Sequence, residues 1–433
     1  MRIVIIGNSA AGTAAIEAIR QHDRQSNIVQ LSDEAFPLYS RCLLSYYLAG
    51  AIPQEKLFYR SKDFHETNNV KLYAGAGFHA AELDTGQQRV KCDNGTIVDY
   101  DRLLICTGST AKLPSNLPRS VDGIHVLRSV SDAEKIRAQA RNAGSAVVLG
   151  AGLIGIKAAT ALSAGGIKTT VVARSNRILS QMIDAEAAKI ITGQLREQKI
   201  EIMLQTDVSE IESAHNKLTG VRTDDGLRAE CQLLIAAKGV FPNMALIDST
   251  GIEKRMGIKT DPHMRTNLEN IFAAGDVAEA FDIVLEDCAV NALWTCAAEQ
   301  GRIAGLNIVG KVVPYNGAVG MNSMNVCDSP VISFGITTPE DESRYRIHVL
   351  NQPERSKYKK VVVGNDGRIK GIILVGRVEN AGVLLSLIQR RIDVSDFEDE
   401  LLSDRFNFGK LLKYGGEEAM KAYLTQGLQA CSE

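Results

Sequence analysis

The chain has 433 residues, of which 45% are hydrophobic and 23% are charged, values that are typical of a folded globular protein and not of a disordered one. At about 150 residues per domain, this length predicts about three domains. The 49 basic and 51 acidic residues give a net charge of −2, which argues against a protein that binds nucleic acid by neutralising phosphates.

The chain begins with a predicted strand, a glycine-rich turn and a helix. Residues 3–12 read IVIIGNSAAG, and residues 13–20 continue at helical spacing. Glycines let the backbone approach a pyrophosphate, and the helix N-terminus offers free N–H groups and the positive end of the helix dipole. This turn therefore predicts a dinucleotide site. Its candidate binding residues are Gly7, Ser9, Ala11 and Gly12.

A second predicted strand, residues 27–31, ends shortly before Asp33 and Glu34. An acidic side chain about 20 residues beyond the last glycine of the turn can hold the two hydroxyl groups of a ribose. Both acids satisfy this spacing, and the sequence does not choose between them. A solvated acidic turn is the alternative interpretation.

The next segment, residues 37–50, reads PLYSRCLLSYYLAG and contains the first cysteine. Ser40 is a candidate N-cap for a predicted helix over residues 41–49, which would place Cys42 in the first turn. The partial positive charge of a helix N-terminus, together with the neighbouring Arg41, would stabilise a thiolate. The alternative interpretation is a small buried residue without a chemical role.

A second strand, turn and helix of the same kind follows at residues 146–155, which read AVVLGAGLIG. This copy has all three glycines of the pattern, whereas the first copy has Ser9 in the middle position. One such turn is weak evidence, but two copies in the same strand–helix context predict two dinucleotide sites, one for a flavin and one for a nicotinamide. The candidate residues of the second turn are Gly150, Gly152, Ile154 and Gly155.

The strand that follows the second turn, residues 168–172, ends at Ala173, where a site for NAD would have an acid. Arg174 and Arg177 come next. A guanidinium group suits the 2′-phosphate of NADP, so these residues favour NADPH over NADH without excluding NADH. An exposed basic turn is the alternative.

Three further motifs, taken with the two turns, resemble the FAD- and pyridine nucleotide-dependent disulfide oxidoreductases. Residues 100–109 read YDRLLICTGS, residues 236–243 read AAKGVFPN, and residues 266–276 read TNLENIFAAGD, in the order in which that family has them. The resemblance implies that FAD binds to the first and last of these segments, and that the aspartate of the last one holds the ribityl chain. The residues concerned are Thr107, Gly108, Gly275 and Asp276, with Arg41 from the earlier segment.

The resemblance also implies an α/β fold with two Rossmann-like dinucleotide-binding domains and a C-terminal α+β dimerisation domain. The FAD domain would comprise residues 1–112 and 241–313, and the NAD(P) domain residues 113–240. Residues 314–433 would form the dimerisation domain of a homodimer. In this part, residues 359–363 and 371–376 are predicted to form a hairpin around an Asn-Asp-Gly turn. A helix over residues 294–307 would face the flavin.

Around Cys42 the chain is a hybrid of two branches of the family. The cysteine lies where coenzyme A disulfide reductases and NADH oxidases keep a single redox cysteine. The flanking residues resemble rubredoxin reductases and the flavin part of nitrite reductases, in which a proline commonly occupies this position. The resemblance makes Cys42 the catalytic candidate among eight cysteines, at positions 42, 92, 106, 231, 288, 296, 327 and 431.

Departures from the family pattern narrow the expected chemistry. Ala10 stands where the peroxidase and oxidase branch has a histidine. Reduction of hydrogen peroxide and four-electron reduction of oxygen are therefore not expected. Lys157 replaces a glutamate that often lies near the nicotinamide. No cysteine-rich region for an iron–sulfur cluster follows, and the cysteine spacings fit no metal site. Nitrite reduction by this chain alone is therefore not expected.

The leading hypothesis is an enzyme that passes hydride from NAD(P)H to FAD and then, through Cys42, reduces a small disulfide, persulfide or polysulfide. The alternative is an electron-transfer flavoprotein or subunit that reduces a rubredoxin, a ferredoxin or a partner metalloprotein, with Cys42 structural. A third hypothesis, a regulatory subunit that binds the cofactor, follows only from Ser9 and Lys157. The sequence shows no signal peptide or membrane span, so a cytoplasmic location is expected.

Overall fold

The computed structural model describes residues 1–118, 120–407 and 409. The chain folds into two units. The first contains Met1–Asn176, Lys199–Asp282 and Glu286–Ala318. The second contains Arg177–Gln198, Ile283–Leu285 and the described residues from Val319 onward.

The described residues form α-helices that are separated by strands and short 3-10 turns. None of these helices is both long enough and apolar enough to cross a membrane. The α-helices are α1 (Ala10–His22), α2 (Leu44–Leu48), α3 (Phe64–Thr67), α4 (Val130–Ala140), α5 (Leu153–Ala164), α6 (Ala185–Glu197), α7 (Trp294–Ile308) and α8 (Ala381–Gln389). The 3-10 turns are Arg41–Leu43, Gln54–Leu57, Ala245–Ile247, Glu342–Arg344, Pro353–Arg355 and Ser395–Leu402.

The strands of the described residues belong to two parallel sheets, to a small mixed sheet and to several antiparallel sheets. In chain order they are β1 (Arg2–Ile6), β2 (Asn27–Ser32), β3 (Val70–Ala74), β4 (Ala80–Asp84), β5 (Arg89–Cys92), β6 (Ile97–Asp99), β7 (Arg102–Ile105), β8 (Ser109–Ala111), β9 (Ile124–Val126), β10 (Ser145–Leu149), β11 (Lys168–Ala173), β12 (Glu201–Leu204), β13 (Val208–Ala214), β14 (Lys217–Thr223), β15 (Arg228–Glu230), β16 (Leu233–Ala236), β17 (Val240–Pro242), β18 (Ile258–Lys259), β19 (Ile271–Ala273), β20 (Ala278–Asp282), β21 (Asp287–Ala289), β22 (Met321–Val326), β23 (Ser329–Gly335), β24 (Tyr345–Gln352), β25 (Lys357–Gly364) and β26 (Ile369–Val375).

The first parallel sheet has the strand order β19-β7-β1-β2-β3, and each neighbouring pair is parallel. Its central strand β1 is a run of isoleucine and valine with four successive buried residues, as expected for a strand covered on both faces. Helix α1 follows directly and buries its alanine and isoleucine face. The carboxyl ends of these strands therefore meet at the first glycine turn, where ligands bind in open α/β sheets.

The second parallel sheet repeats this arrangement with the strand order β12-β11-β10-β16-β9. Each of the two glycine turns makes an equivalent hydrogen bond to the strand that follows its helix. The Gly7 amide donates to the carbonyl of Leu31, and the Gly150 amide donates to the carbonyl of Val172, each at 2.8 Å. The predicted pair of Rossmann-like folds is confirmed.

The second unit contains an antiparallel sheet with the strand order β22-β23-β26-β25-β24. Strands β25 and β26 form the predicted hairpin around the Asn-Asp-Gly turn, because the glycine there supplies the positive φ of +73° that this turn needs. The three predicted domain boundaries and the dimerisation role of residues 314–433 stay predictions. Cys431 lies outside the described residues.

Candidate active site

The two glycine turns have the backbone that the sequence predicts for them. Gly7 has φ of +118° and Gly150 has φ of +125°, in the region that side chains disfavour. The third glycine of each turn lies against the first: a Cβ atom at Gly12 would stand 2.3 Å from the carbonyl oxygen of Gly7, and one at Gly155 would stand 1.9 Å from that of Gly150. Both turns thus bring a helix N-terminus close to a strand end.

The middle position of the turn explains why Ser9 is tolerated. The equivalent Gly152 is the N-cap residue of α5, and a Cβ atom there would meet no protein atom within 4 Å. Ser9 is the N-cap residue of α1 and has an extended conformation, and its side chain makes no capping hydrogen bond. The amides of the first turn of α1 therefore remain available to an anion, and that turn contains no acidic side chain.

A buried polar atom in the first glycine turn is also compatible with a bound dinucleotide. The Asn8 side-chain oxygen is buried and has no hydrogen-bond partner among the residues that the structure describes, although buried polar groups normally have one. A hydroxyl group of a ribose is a donor of the kind that this oxygen would accept. The residues of the turn are thus compatible with FAD.

The two candidate acids after β2 differ in their surroundings. Asp33 is exposed, and the His79 ring nitrogen Nδ1 lies 3.9 Å from its carboxylate. Glu34 accepts a hydrogen bond from Arg41 at 2.5 Å and another from the Tyr39 hydroxyl group. The structure thus brings Glu34 and Arg41 together and leaves Asp33 toward solvent.

The predicted flavin-binding aspartate lies in a cluster that joins distant parts of the chain. Asp276 accepts hydrogen bonds at Oδ2 from the Ser109 hydroxyl group at 2.7 Å and from the Arg128 guanidinium group at 2.8 Å. Arg128 also donates to both oxygens of Ser109, while its own carbonyl accepts from Arg41. No motif in the sequence indicates Arg128, because this residue lies just before α4 and follows no glycine turn.

The segment around Thr107 and Gly108 is hydrogen-bonded to the motif of residues 236–243. Thr107 donates from its hydroxyl group to the carbonyl of Asn243 at 2.8 Å, and the Asn243 side chain donates back to the carbonyl of Thr107 at 2.8 Å. Gly108 has φ of +68° and lies near the Arg128 guanidinium group. Two motifs that are far apart in the sequence are therefore neighbours in the site.

Helix α7 closes the site from another side and matches the predicted helix over residues 294–307 within one residue. Its Gln300 side chain accepts from the amide of Gly275 at 2.8 Å, a contact that the sequence did not indicate. Ala11 is buried beneath this helix, since a Cβ atom at Gly301 would stand 2.1 Å from the Ala11 carbonyl oxygen. Ala11 therefore positions α1 through packing, and its side chain faces protein.

The first unit contains a cavity of about 700 Å³. Arg174 lies at its wall, with a side chain that is 77% exposed and bonded to Asp207 at 2.5 Å. Lys238 bonds the same carboxylate at 2.8 Å. Three cations and one acid thus line the cavity, whose residues are Lys112, Leu113, Pro114, Ser115, Asn116, Arg174, Asp207, Val208, Lys238 and Phe241.

Arg177, the second arginine proposed for a 2′-phosphate, belongs to the second unit. Its guanidinium group donates to the carbonyls of Ser180 and Ile183 at 3.1 and 3.0 Å. These bonds hold the loop before α6, so the side chain has a structural task that the sequence did not reveal. Ile154, at the other end of the proposed site, is 45% exposed on the first turn of α5.

The helix predicted over residues 41–49 is wrong in its form. A 3-10 turn, Arg41–Leu43, is followed by the five-residue helix α2, and the Ser40 side chain makes no capping bond. The cause is tertiary: the Ser40 amide donates to the carbonyl of Leu57, and the Leu43 amide closes a tight turn onto Ser40. So short a helix has little dipole, and Arg41 is already paired with Glu34.

A lysine lies on the helix that packs against α2, the helix that follows the cysteine. Cys42 is exposed, and α2 packs against α5, which carries the half-buried Lys157. The Lys157 ammonium group stands 5.8 Å from the ring centroid of Tyr46, one helical turn beyond Cys42. Burial lowers the pKa of Lys157, and the electrostatic attraction of Cys42 opposes that fall.

All seven cysteines in the described part of the chain are free thiols, and six of them are poor nucleophiles. Burial raises the pKa of Cys296 to about 11 and that of Cys231 to about 12. It also raises the pKa of Cys106 well above its ordinary value. Burial has the same effect on the pKa values of Cys92, Cys288 and Cys327.

Comparison with known proteins agrees with this geometry. A profile of the pyridine nucleotide-disulphide oxidoreductases matches residues 1–301, and a profile of the rubredoxin NAD+ reductase C-terminal domain matches residues 321–392. The chain belongs to the pyridine nucleotide-disulphide oxidoreductase family. The resemblance of its motifs to this family is thereby confirmed.

Relatives in the family cover different fractions of their own length. The chain is 32% identical over 413 residues to the NADH-dependent phenylglyoxylate dehydrogenase subunit epsilon of Aromatoleum evansii, covering 94% of this chain and 96% of that protein. It is 29% identical to the assimilatory nitrate reductase electron transfer subunit of Bacillus subtilis (strain 168), covering 93% of this chain but only 51% of that protein.

A solved structure extends this agreement to the fold. The NAD-dependent persulfide reductase from A. fulgidus has a TM-score of 0.85 and 26% identity, over 91% of this chain and 78% of that one. Family and geometry together make the chain an oxidoreductase that binds a flavin and a nicotinamide nucleotide.

Proposed function

We propose that this oxidoreductase binds FAD at the first glycine turn and reduces a small disulfide, persulfide or polysulfide through Cys42. The observation that carries the proposal is the exposure of Cys42, since burial raises the pKa of the other six thiols in the described residues. The persulfide reductase from A. fulgidus, whose fold this chain shares, supports the choice of acceptor.

The residues of the first unit divide the work. When bound, FAD accepts hydride from a nicotinamide and supplies two electrons. The first turn of α1 would hold its pyrophosphate, Glu34 or Asp33 a ribose, and Asp276 with Arg128 the ribityl chain. The Cys42 thiolate attacks one sulfur of the acceptor, so that a mixed disulfide forms and a thiolate leaves. Two electrons then restore the Cys42 thiolate and release the second thiol.

A reductive titration tests the role of Cys42. The holoenzyme is treated with a small disulfide, desalted and titrated with NADPH without oxygen. Wild type should consume about two two-electron equivalents per subunit, and Cys42→Ser about one, because only the flavin remains to be reduced. Cys288→Ser, which changes a half-buried thiol, should behave as wild type. Equal consumption by wild type and Cys42→Ser would refute the thiol route.

A second candidate function is the transfer of electrons to a rubredoxin, a ferredoxin or a partner metalloprotein, with Cys42 structural. The observation in its favour is the name of the 32% identical relative, which is one subunit of a dehydrogenase. On this function, Cys42→Ser keeps full turnover with a protein acceptor and with dyes. This function would be excluded if Cys42→Ser lost turnover with sulfur acceptors and wild type reduced no protein acceptor.

We also propose that NADPH is the preferred nicotinamide. Arg174 and Lys238 share a single carboxylate, Asp207, at the wall of the cavity, which leaves positive charge for a 2′-phosphate. Arg174→Ala should raise the KM for NADPH at least tenfold, given about 1.5–3 kcal/mol for a hydrogen bond to a charged group. The KM for NADH should stay within about twofold, and Arg222→Ala, an exposed arginine of β14, should change neither. Equal effects on both nucleotides would contradict the preference.

A further inference from the structure

We propose that Asp207 determines how strongly this chain distinguishes NADPH from NADH: its carboxylate accepts hydrogen bonds from the adenosine ribose of NADH and opposes the 2′-phosphate of NADPH. The inference rests on the proposed nicotinamide site and adds the residue that limits its preference. The sequence has Ala173 where a site for NAD would have an acid, and the structure supplies an acid there from the loop after β12.

Backbone hydrogen bonds bring Asp207 to the end of β11. Strands β11 and β12 are parallel neighbours, so their carboxyl ends meet at one edge of the sheet. Beyond these ends, the Thr206 amide donates to the carbonyl of Ala173 at 3.3 Å, and the Gln205 amide donates to that of Ser175 at 3.1 Å. Asp207 is the next residue and therefore lies beside the segment in which a Rossmann fold has its ribose-binding acid.

The Asp207 carboxylate is shared between two cations. Arg174 bonds one of its oxygens from Nε at 2.5 Å, and Lys238 bonds the other from Nζ at 2.8 Å. The Asp207 side chain is 12% exposed, whereas that of Arg174 is 77% exposed. All three side chains line the cavity of the first unit. A ligand that enters this cavity therefore meets one anion between two cations.

Neighbouring polar groups hold Asp207 in place. Its amide donates to the Asp224 carboxylate at 3.1 Å, and the Thr206 hydroxyl group donates to the same oxygen at 2.6 Å. The Val208 amide donates to the Asp207 carboxylate at 3.0 Å. The loop after β12 thus fixes the position of the carboxylate before a nucleotide binds, which lowers the entropy lost on binding.

This arrangement acts in opposite directions on the two nucleotides. A carboxylate accepts hydrogen bonds from both hydroxyl groups of the adenosine ribose of NADH, whereas NADPH has a phosphate in place of one of them. That phosphate is attracted by the exposed Arg174, but it approaches a second anion and competes with Asp207 for both cations. Asp207 therefore keeps the site open to NADH and limits the gain in affinity for NADPH.

Binding of the oxidised nucleotides measures this inference without turnover. The Kd values of the flavin-loaded protein for NAD+ and NADP+ are determined by isothermal titration calorimetry. Asp207→Asn keeps the shape of the side chain and removes its charge. It should raise the Kd for NAD+ and lower the Kd for NADP+, each by about fivefold. Glu210→Gln, which removes an exposed carboxylate of β13 that is bonded to Arg222, should change neither.

The ratio of the two Kd values separates this inference from the proposed preference for NADPH. If Asp207→Asn leaves the ratio unchanged, the inference is wrong, even if Arg174→Ala selectively weakens the use of NADPH. If the ratio shifts as expected but Arg174→Ala weakens the use of both nucleotides equally, Asp207 discriminates between them and the role proposed for Arg174 is wrong. If Asp207→Asn does not fold, Asp207→Ser is titrated in the same way.

Discussion

Arg128, which the sequence did not indicate, orients the predicted flavin-binding aspartate Asp276. Its guanidinium group reaches Asp276 and Ser109 at 2.8 Å, and Asp276 is only 14% exposed. Without the arginine, this carboxylate keeps a single hydroxyl partner and loses its fixed orientation. A hydrogen bond to a charged group contributes about 1.5–3 kcal/mol.

We therefore expect Arg128→Ala to raise the Kd for FAD by about tenfold or more, measured by fluorescence titration of the apoprotein. Arg89→Ala is the matched control, since that arginine bonds Asp99 in the separate sheet of β4, β5 and β6. An unchanged Kd in Arg128→Ala would show that Asp276 is oriented by Ser109 alone.

Lys359 gives a prediction about stability and pH. It is 1% exposed on β25, and burial lowers its pKa to about 8, whereas an unfolded lysine titrates near pH 10.4. Below pH 8 the folded state contains a buried ammonium group, and this cost disappears as the pH rises from about 8 to about 10. The free energy of unfolding of wild type should rise over that interval.

Lys359→Met should accordingly raise the free energy of unfolding at pH 7 by about 1–3 kcal/mol, and the gain should shrink toward pH 10. Asp404 would keep its bond to Lys357 at 2.6 Å. Denaturant unfolding at both pH values measures the difference, with Lys189→Met on the exposed face of α6 as the control. A variant that is less stable than wild type at pH 7 would contradict the prediction.

Between elements, the approach of α1 to α7 depends on a glycine. A Cβ atom at Gly301 would stand 2.1 Å from the carbonyl oxygen of Ala11, so the two helices meet almost backbone to backbone. Gly301→Ala should push them apart and destabilise the protein by about 1–3 kcal/mol. Because α1 begins at the candidate pyrophosphate site, Gly301→Ala should lower both the ratio of bound flavin to protein and the melting temperature.

Gly193→Ala serves as the control for this prediction. Gly193 lies inside α6, where a Cβ atom would meet no protein atom within 4 Å. Alanine there should stabilise the helix by up to about 1 kcal/mol, since glycine is the poorer helix former. If both variants shift the melting temperature in the same direction, close packing of α1 and α7 is not the cause.

At the scale of the whole molecule, the two parallel sheets predict two separable functions. A Cβ atom at Gly150 would stand 2.3 Å from the carbonyl oxygen of Ala237, and the φ of +125° disfavours any side chain. Gly150→Ala should still bind flavin, which dithionite should bleach as in wild type. Reduction by NAD(P)H should slow at least 100-fold, because a loss of about 3 kcal/mol in nucleotide binding is expected there.

Stopped-flow absorbance of the flavin measures both reductions. Gly7→Ala is the complementary variant, since a Cβ atom there would stand 2.1 Å from the carbonyl oxygen of Cys106. It should lose flavin while retaining binding of NADPH. If Gly150→Ala also loses flavin, the two halves are not independent.

The local parts of this protein could be predicted from the sequence. A strand, a glycine turn and a helix lie within about a dozen residues at Gly7 and again at Gly150, so hydrogen bonding and backbone sterics along the chain suffice to define them. The same holds for the hairpin of β25 and β26. In each case the residues that interact are neighbours in sequence.

Only the tertiary structure decided which side chains meet. Arg128 and Asp276 bond across 148 positions of the chain, and α2 packs against α5 although the two helices are far apart in the sequence. Ser40 has the chemistry of an N-cap, yet its backbone is bonded to Leu57 and its side chain caps nothing. Distant contacts of this kind follow from the packing of whole elements, because local preferences of about 1 kcal/mol yield to it.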